Sequence, residues 1–122
     1  TKIAIIEDDP TISQMYRLKF EADGFDVRMA SNGKIGVELV KTFKPDIILL
    51  DIQMPEMDGA EALKRIRANN SSKDTPVIIL TNLGEEEAPA DMRTLGISSY
   101  IVKANNTPRQ VVTHVKEIEA KS

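Results

Sequence analysis

Five short apolar runs, separated by segments with helical patterning, leave this chain little choice of architecture. The runs are IAII (3–6), FDVRM (25–29), IILL (47–50), VIIL (77–80) and YIV (100–102). After the first, apolar residues recur at Ile12, Met15, Tyr16, Leu18 and Ala22; after the second, at Ile35, Leu39, Val40 and Phe43. Leu63 and Ile66 follow the third run, Met92 and Leu95 the fourth, and Val111, Val112, Val115 and Ile118 the last. Such spacing predicts helices that turn an apolar stripe to a core. Strand–helix alternation of this kind predicts an α/β fold, a parallel sheet with helices on both faces. The first, third and fourth runs are apolar throughout, as strands buried on both faces must be. The second alternates Phe25, Val27 and Met29 with Asp26 and Arg28, which suits an edge strand. An edge position for strand 2, with right-handed crossovers, gives the order 2-1-3-4-5 in a single doubly wound (βα)5 domain over residues 1–122.

Helix starts are equally legible. Asp9-Pro10 offers an N-cap followed by proline at the first helical position. Asp58-Gly-Ala-Glu61 and Thr107-Pro-Arg-Gln110 have capping-box spacing. Asn32-Gly33 joins a strand pattern to a helix pattern, so Asn32 or Ser31 is read as an N-cap. Glu85-Glu86-Glu87 reads as a solvated, dipole-favoured helix start, and Pro89 restricts helix 4 to the part after it.

Composition removes several kinds of function. There is no cysteine, hence no disulfide, thiolate nucleophile or cysteine-ligated zinc. Net charge is −3 without a Lys/Arg block, which gives no footprint for direct nucleic-acid binding. No apolar run approaches membrane-spanning length. No charged-then-apolar leader opens the sequence, so a cytoplasmic setting is expected.

The chemistry gathers at the strand ends. Strand 1 delivers Glu7-Asp8, strand 3 Asp51, strand 4 Thr81 and strand 5 Lys103, while the edge strand delivers only Ala30-Ser31. These ends share one rim, and ligands of open parallel sheets bind where the strand order reverses, here between strands 1 and 3. Crowded carboxylates repel unless they share a cation. Oxygen ligands without His or Cys favour Mg²⁺. Thr81 and Lys103 add a hydroxyl and a positive charge, the complement of phosphoryl oxygens. A carboxylate aimed at that site can act as a nucleophile and form an acyl phosphate.

IIEDD (5–9), PDIILLDIQMPEMDG (45–59), PVIILT (76–81) and YIVK (100–103) together resemble the receiver domain of two-component response regulators. The resemblance covers essentially the whole chain and implies the flavodoxin-like fold of that superfamily. It implies Asp51 as the phospho-accepting aspartate and Asp8 as a Mg²⁺ ligand, with Glu7 contributing directly or through water. The backbone carbonyl of Gln53 would complete the metal set. Lys103 would pair with the phosphoryl group, Thr81 would bond to it, and the rotamer of Tyr100 would follow Thr81. The implied role is a phosphoacceptor switch and not a turnover enzyme. A sensor histidine kinase or phosphotransfer protein would supply the phosphoryl group. An effector or output domain would read the surface of helix 4, strand 5 and helix 5, on a monomer or a phosphorylation-dependent dimer.

Two other readings compete. A haloacid-dehalogenase-type phosphohydrolase needs a second acid two residues after the nucleophile, and Gln53 cannot transfer a proton. A phosphorylation-independent interaction domain is favoured only by departures from the family pattern. Ala104 follows Lys103 where a cis-proline is usual, so that peptide is expected to be trans. Asn82 stands where a very small residue is usual, and Ser98-Ser99 replace an acidic pair. His114 is read as a surface or boundary residue, and Met54 and Met57 as packing over the edge of the site.

Overall fold

The computed structural model describes residues 1–121. In chain order the elements are β1 (Lys2–Ile6), α1 (Pro10–Ala22), β2 (Asp26–Ala30), α2 (Gly33–Phe43), β3 (Ile47–Leu50), α3 (Gly59–Ala68), β4 (Val77–Thr81), α4 (Asp91–Leu95), β5 (Ser99–Val102) and α5 (Pro108–Ala120). The five strands form one sheet of order β2-β1-β3-β4-β5, parallel at every pairing. This is the predicted flavodoxin-like topology.

Successive strand residues point to opposite faces, so each central strand feeds two cores. Ile3, Ile5, Ile47, Leu49, Ile78 and Leu80 pack with Tyr16 and Phe20 of α1 and Val111, Val112 and Val115 of α5. Ala4, Ile6, Ile48, Leu50 and Ile79 pack on the other face with Val37 and Val40 of α2, Leu63 and Ile66 of α3, and Met92 of α4. β1, β3 and β4 are buried from Ile3, Ile47 and Val77 onward, whereas β2 alternates as an edge strand should.

The caps form as predicted, with one exception. Asp9 accepts from the amides of Thr11 and Ile12, Asn32 from Ile35, and Thr107 and Gln110 complete a capping box on α5. Asp58 accepts from the Glu61 amide, but the Glu61 carboxylate pairs with Arg65 Nε at 3.0 Å, a competing use of the side chain that would close the box.

Other expectations need correction. β2 lies one residue later than read, so Ala30 belongs to the strand and Phe25 precedes it, packed edge-to-face on Phe20 at 5.2 Å. Glu85–Glu87 form a separate 3-10 turn and do not open α4, because Pro89 lies between them and the helix. Met15, Leu18 and Ile35, expected on core-facing stripes, are 37%, 59% and 48% exposed. The buried stripe of α1 is Ser13, Tyr16 and Phe20; Leu18 lies two residues from Tyr16, on nearly the opposite side of a 3.6-residue turn.

This difference predicts unequal costs for two apolar positions on one helix. Phe20→Ala should destabilise by about 3–5 kcal/mol. Leu18→Gln should change stability by no more than about 0.5 kcal/mol. Urea midpoints at constant slope test both, and a large loss for Leu18→Gln would contradict the packing described.

Candidate functional site

Strand register sets the site. Ile6 pairs with Leu50 and Thr81 with Val102, so the next residues out, Glu7, Asp51 and Lys103, emerge together on one rim. Main-chain bonds extend the ladder by one step: the Asp51 amide donates to Ile6 at 3.0 Å and the Glu7 amide to Ala30 at 3.0 Å. Carboxylate oxygens of Glu7, Asp8 and Asp51 lie within 4.8 Å of one another. Glu7 and Asp51 are buried, and Asp8 is exposed. Asp9 is spent on capping α1. The loop after β3 folds back over Asp51: the Gly59 amide donates to Ile52 at 2.8 Å. A Cβ at Gly59 would collide with the Asp51 carbonyl oxygen, so only glycine permits this approach.

Lys103 reaches into the cluster. Its ammonium donates to Glu7 Oε1 and, at 3.1 Å, to Asp51 Oδ2. The Lys103–Ala104 peptide is trans, as expected without proline, and the side chain reaches the acids nonetheless. Burial pushes the Glu7 carboxyl up to about 7; Lys103 and the Asp9 amide oppose the shift, while Asp8 and Asp51 add to it. For Lys103 burial acts downward, but Glu7 and Asp51 outweigh it and the net shift is upward. The ammonium is therefore secure at neutral pH, and the Glu7 carboxyl is the group that resists ionisation.

Gln53 contributes its main chain: its amide donates to Asp51 Oδ1 at 3.2 Å while the residue itself is exposed. Thr81 is wholly buried at the end of β4, and its hydroxyl accepts from the Leu83 amide at 3.4 Å. Tyr100, half-buried on β5, donates its hydroxyl to the Leu83 carbonyl at 2.8 Å, with the Gly84 carbonyl at 3.3 Å. Thr81 and Tyr100 thus meet through the backbone of Leu83, a residue that sequence reasoning passes over. The available signal is Thr81-x-Leu83, a spacing at which a hydroxyl captures the amide two residues on. Asn82 is exposed, His114 lies on the outer surface of α5, and Met54 and Met57 pack at the edge of the α2–α3 core.

The chain has two tyrosines and no tryptophan, and both phenols are held above their ordinary value of 10.0. Burial is the main cause for each, reinforced at Tyr16 by Glu7 against the opposing Lys103. Glu86, Glu87 and Asp51 reinforce it at Tyr100 against Arg93. A folded-state pKa above the unfolded one gives stabilisation that is complete below 10.0 and is lost as pH rises through the folded values. Alkaline titration of tyrosinate absorbance should therefore lag in the native protein and return to the ordinary value in urea; coincident curves would refute the assignment.

Residues 3–116 match the family model described as the response regulator receiver domain. The chain is 35% identical over 102 residues to the regulatory protein AtoC of Escherichia coli, covering 84% of this chain and 22% of that protein. It is 36% identical over 117 residues to the transcriptional regulatory protein SrrA of Staphylococcus aureus, covering 96% of this chain and 47% of SrrA. The chain thus spans less than half the length of either relative. The receiver domain of Francisella response regulator 1452 superimposes with a TM-score of 0.86 at 32% identity, over 98% of this chain and 97% of that one. The Vibrio cholerae chemotaxis protein CheY4 superimposes with a TM-score of 0.88 at 25% identity, over 96% and 97%. With the sheet order, the rim of acids and the lysine opposite them all in agreement, the chain belongs to the response regulator receiver domain family.

Proposed function

We propose that this chain is a Mg²⁺-dependent phosphoacceptor in which Asp51 receives a phosphoryl group from a phosphohistidine. The observation that carries the reading is the half-buried Lys103 ammonium bridging the buried Asp51 and Glu7, beside Asp8. The donor set suits a hard divalent ion, since it is all carboxylate oxygen and already draws in a cation. Asp8, Asp51 and Glu7 would hold the metal, with the Gln53 carbonyl as a further oxygen ligand. When bound, Mg²⁺ supplies charge neutralisation between the carboxylates and the phosphoryl oxygens.

An Asp51 carboxylate oxygen attacks phosphorus as the P–N bond of the donor breaks, and the imidazole nitrogen keeps the bonding pair. The product carries about −1.5 to −2 of charge. Lys103 then turns from bridging two carboxylates to pairing with the phosphoryl oxygens. The Thr81 hydroxyl is the neighbouring donor for that group. Once it is drawn to phosphate, its hold on the Leu83 amide is released, and Tyr100 is bonded to the carbonyl of that same residue. This path would carry the change to the α4–β5–α5 face, where an effector or a covalently linked output domain would read it in the cytoplasm.

The hydrolase alternative lacks its acid, because Gln53 offers only an amide to Asp51. The trans peptide after Lys103 does not withdraw its ammonium from Asp51. That reach favours a competent switch over a lapsed one.

Acetyl phosphate should label the protein only in the presence of Mg²⁺, and Asp51→Asn should abolish labelling while leaving the far-ultraviolet circular dichroism unchanged. A wild-type protein that stays unlabelled in excess Mg²⁺, fold intact, would overturn the proposal.

A further inference from the structure

Arg67, in the last turn of α3, directs its guanidinium at main-chain oxygens. Nε donates to Leu95 at 3.0 Å and Nη2 to Gly96 at 2.8 Å, while Nη1 donates to Ser72 at 3.1 Å and to Thr75 at 2.8 Å. Three segments meet on this one side chain: α3 itself, the loop into β4, and the turn that ends α4. A planar fork with fixed N–H directions suits such a junction, and a lysine ammonium does not reproduce it. Burial lowers the pKa of Arg67, with Asp74 opposing the shift.

The junction grips one end of α4 and leaves the other end free of it. At the gripped end, Gly96 takes φ +90 and its amide closes the helix onto Arg93. Two residues on, the Ser98 amide donates to Val77 of β4 at 2.8 Å. At the other end, the segment before α4 is held to the sheet through Leu83 and Gly84, by the hydroxyls of Thr81 and Tyr100. Between the two ends, the exposed Glu85–Arg93 ion pair links the 3-10 turn to the helix, and Met92 packs into the α2–α3 core.

We propose that Arg67 is the fixed pivot of the switch: a positioning residue that clamps Leu95 and Gly96 so that motion is confined to 82–93. The clamp rests on the structure alone; its part in signalling rests on the phosphoacceptor reading of Asp51. Displacement at Leu83 then becomes rotation of the 82–93 segment about a held end, and not general loosening of α4.

Amide hydrogen exchange on the wild type, Arg67→Met and Arg67→Lys tests this, with and without beryllofluoride as the phosphoryl mimic. Without it, Arg67→Met should speed exchange at Gly96 and Ser98 by about tenfold or more relative to core amides such as Leu49. Arg67→Lys, which keeps the charge but not the fork, should recover less than half of that effect on a logarithmic scale, and it stands in should the Met variant fail to fold. With beryllofluoride, wild-type changes should lie in 82–92, and in the Met variant they should spread through 94–98. Wild-type exchange rates at Gly96 and Ser98 in the substituted proteins would overturn the clamp. A wild-type response at 94–98 as large as that at 82–92 would overturn the pivot. Absence of a bound-beryllofluoride fluorine resonance in the wild type would refute the phosphoacceptor reading alone, the exchange rates without the mimic still deciding the clamp.

Discussion

Two buried carboxylates side by side, Glu7 and Asp51, are tolerable here because Lys103 lies between them. The three side chains are 5%, 8% and 10% exposed, so water does little to screen them. Leaving a charge of that kind unpaired costs on the order of 3–5 kcal/mol. The exposed pairs on the helices, such as Arg17–Glu21, each contribute about 0.2–1 kcal/mol. The rim is therefore the electrostatic centre of the molecule, and the surrounding structure serves to deliver three side chains to it from three strands. Register does this with little local assistance: β1 against β3 fixes the acids, and β4 against β5 fixes the lysine.

The same arrangement leaves the site ready for exchange of partners. An ammonium held by two carboxylates is a cation that the protein carries itself, and a divalent ion or a phosphoryl group must rearrange that contact to enter. Thr81 and Tyr100 stand one step away, joined through the amide and the carbonyl of Leu83. A change of charge at Asp51 is thereby adjacent to a backbone segment that the hydroxyls of Thr81 and Tyr100 and the packing of side chains such as Leu83 and Met92 tie to the sheet.

Much of this is legible in the residues. IILL and VIIL read as strands because short runs rich in β-branched and apolar residues suit a strand buried on both faces, and the acid or hydroxyl directly after each run falls on the rim that parallel strands share. The N-caps are legible because Asp, Asn and Thr side chains reach neighbouring amides with little dependence on tertiary context. What escapes is set by tertiary contact. Periodicity alone does not say that Leu18 falls off the stripe containing Tyr16 and Phe20. Nor does it place Phe25 before β2, where an edge-to-face contact with Phe20 holds it. Leu83 and Arg67 are harder to read for a different reason: Leu83 acts through its own amide and carbonyl, and Arg67 on the carbonyls of other residues, groups that every residue has.

Parallel topology has one more effect. α1, α2, α3 and α5 each come after a strand whose C-terminal end lies on the rim, so their N-termini, capped by Asp9, Asn32, Asp58 and Thr107, all open toward the same side of the sheet. Each helix carries roughly half an elementary charge of positive sign at that end. The edge that side chains make negative is thus the edge that the backbone makes positive. A dianion formed on Asp51 would sit at the positive pole of the peptide scaffold, in a field that belongs to the winding of the chain and that no single substitution could remove.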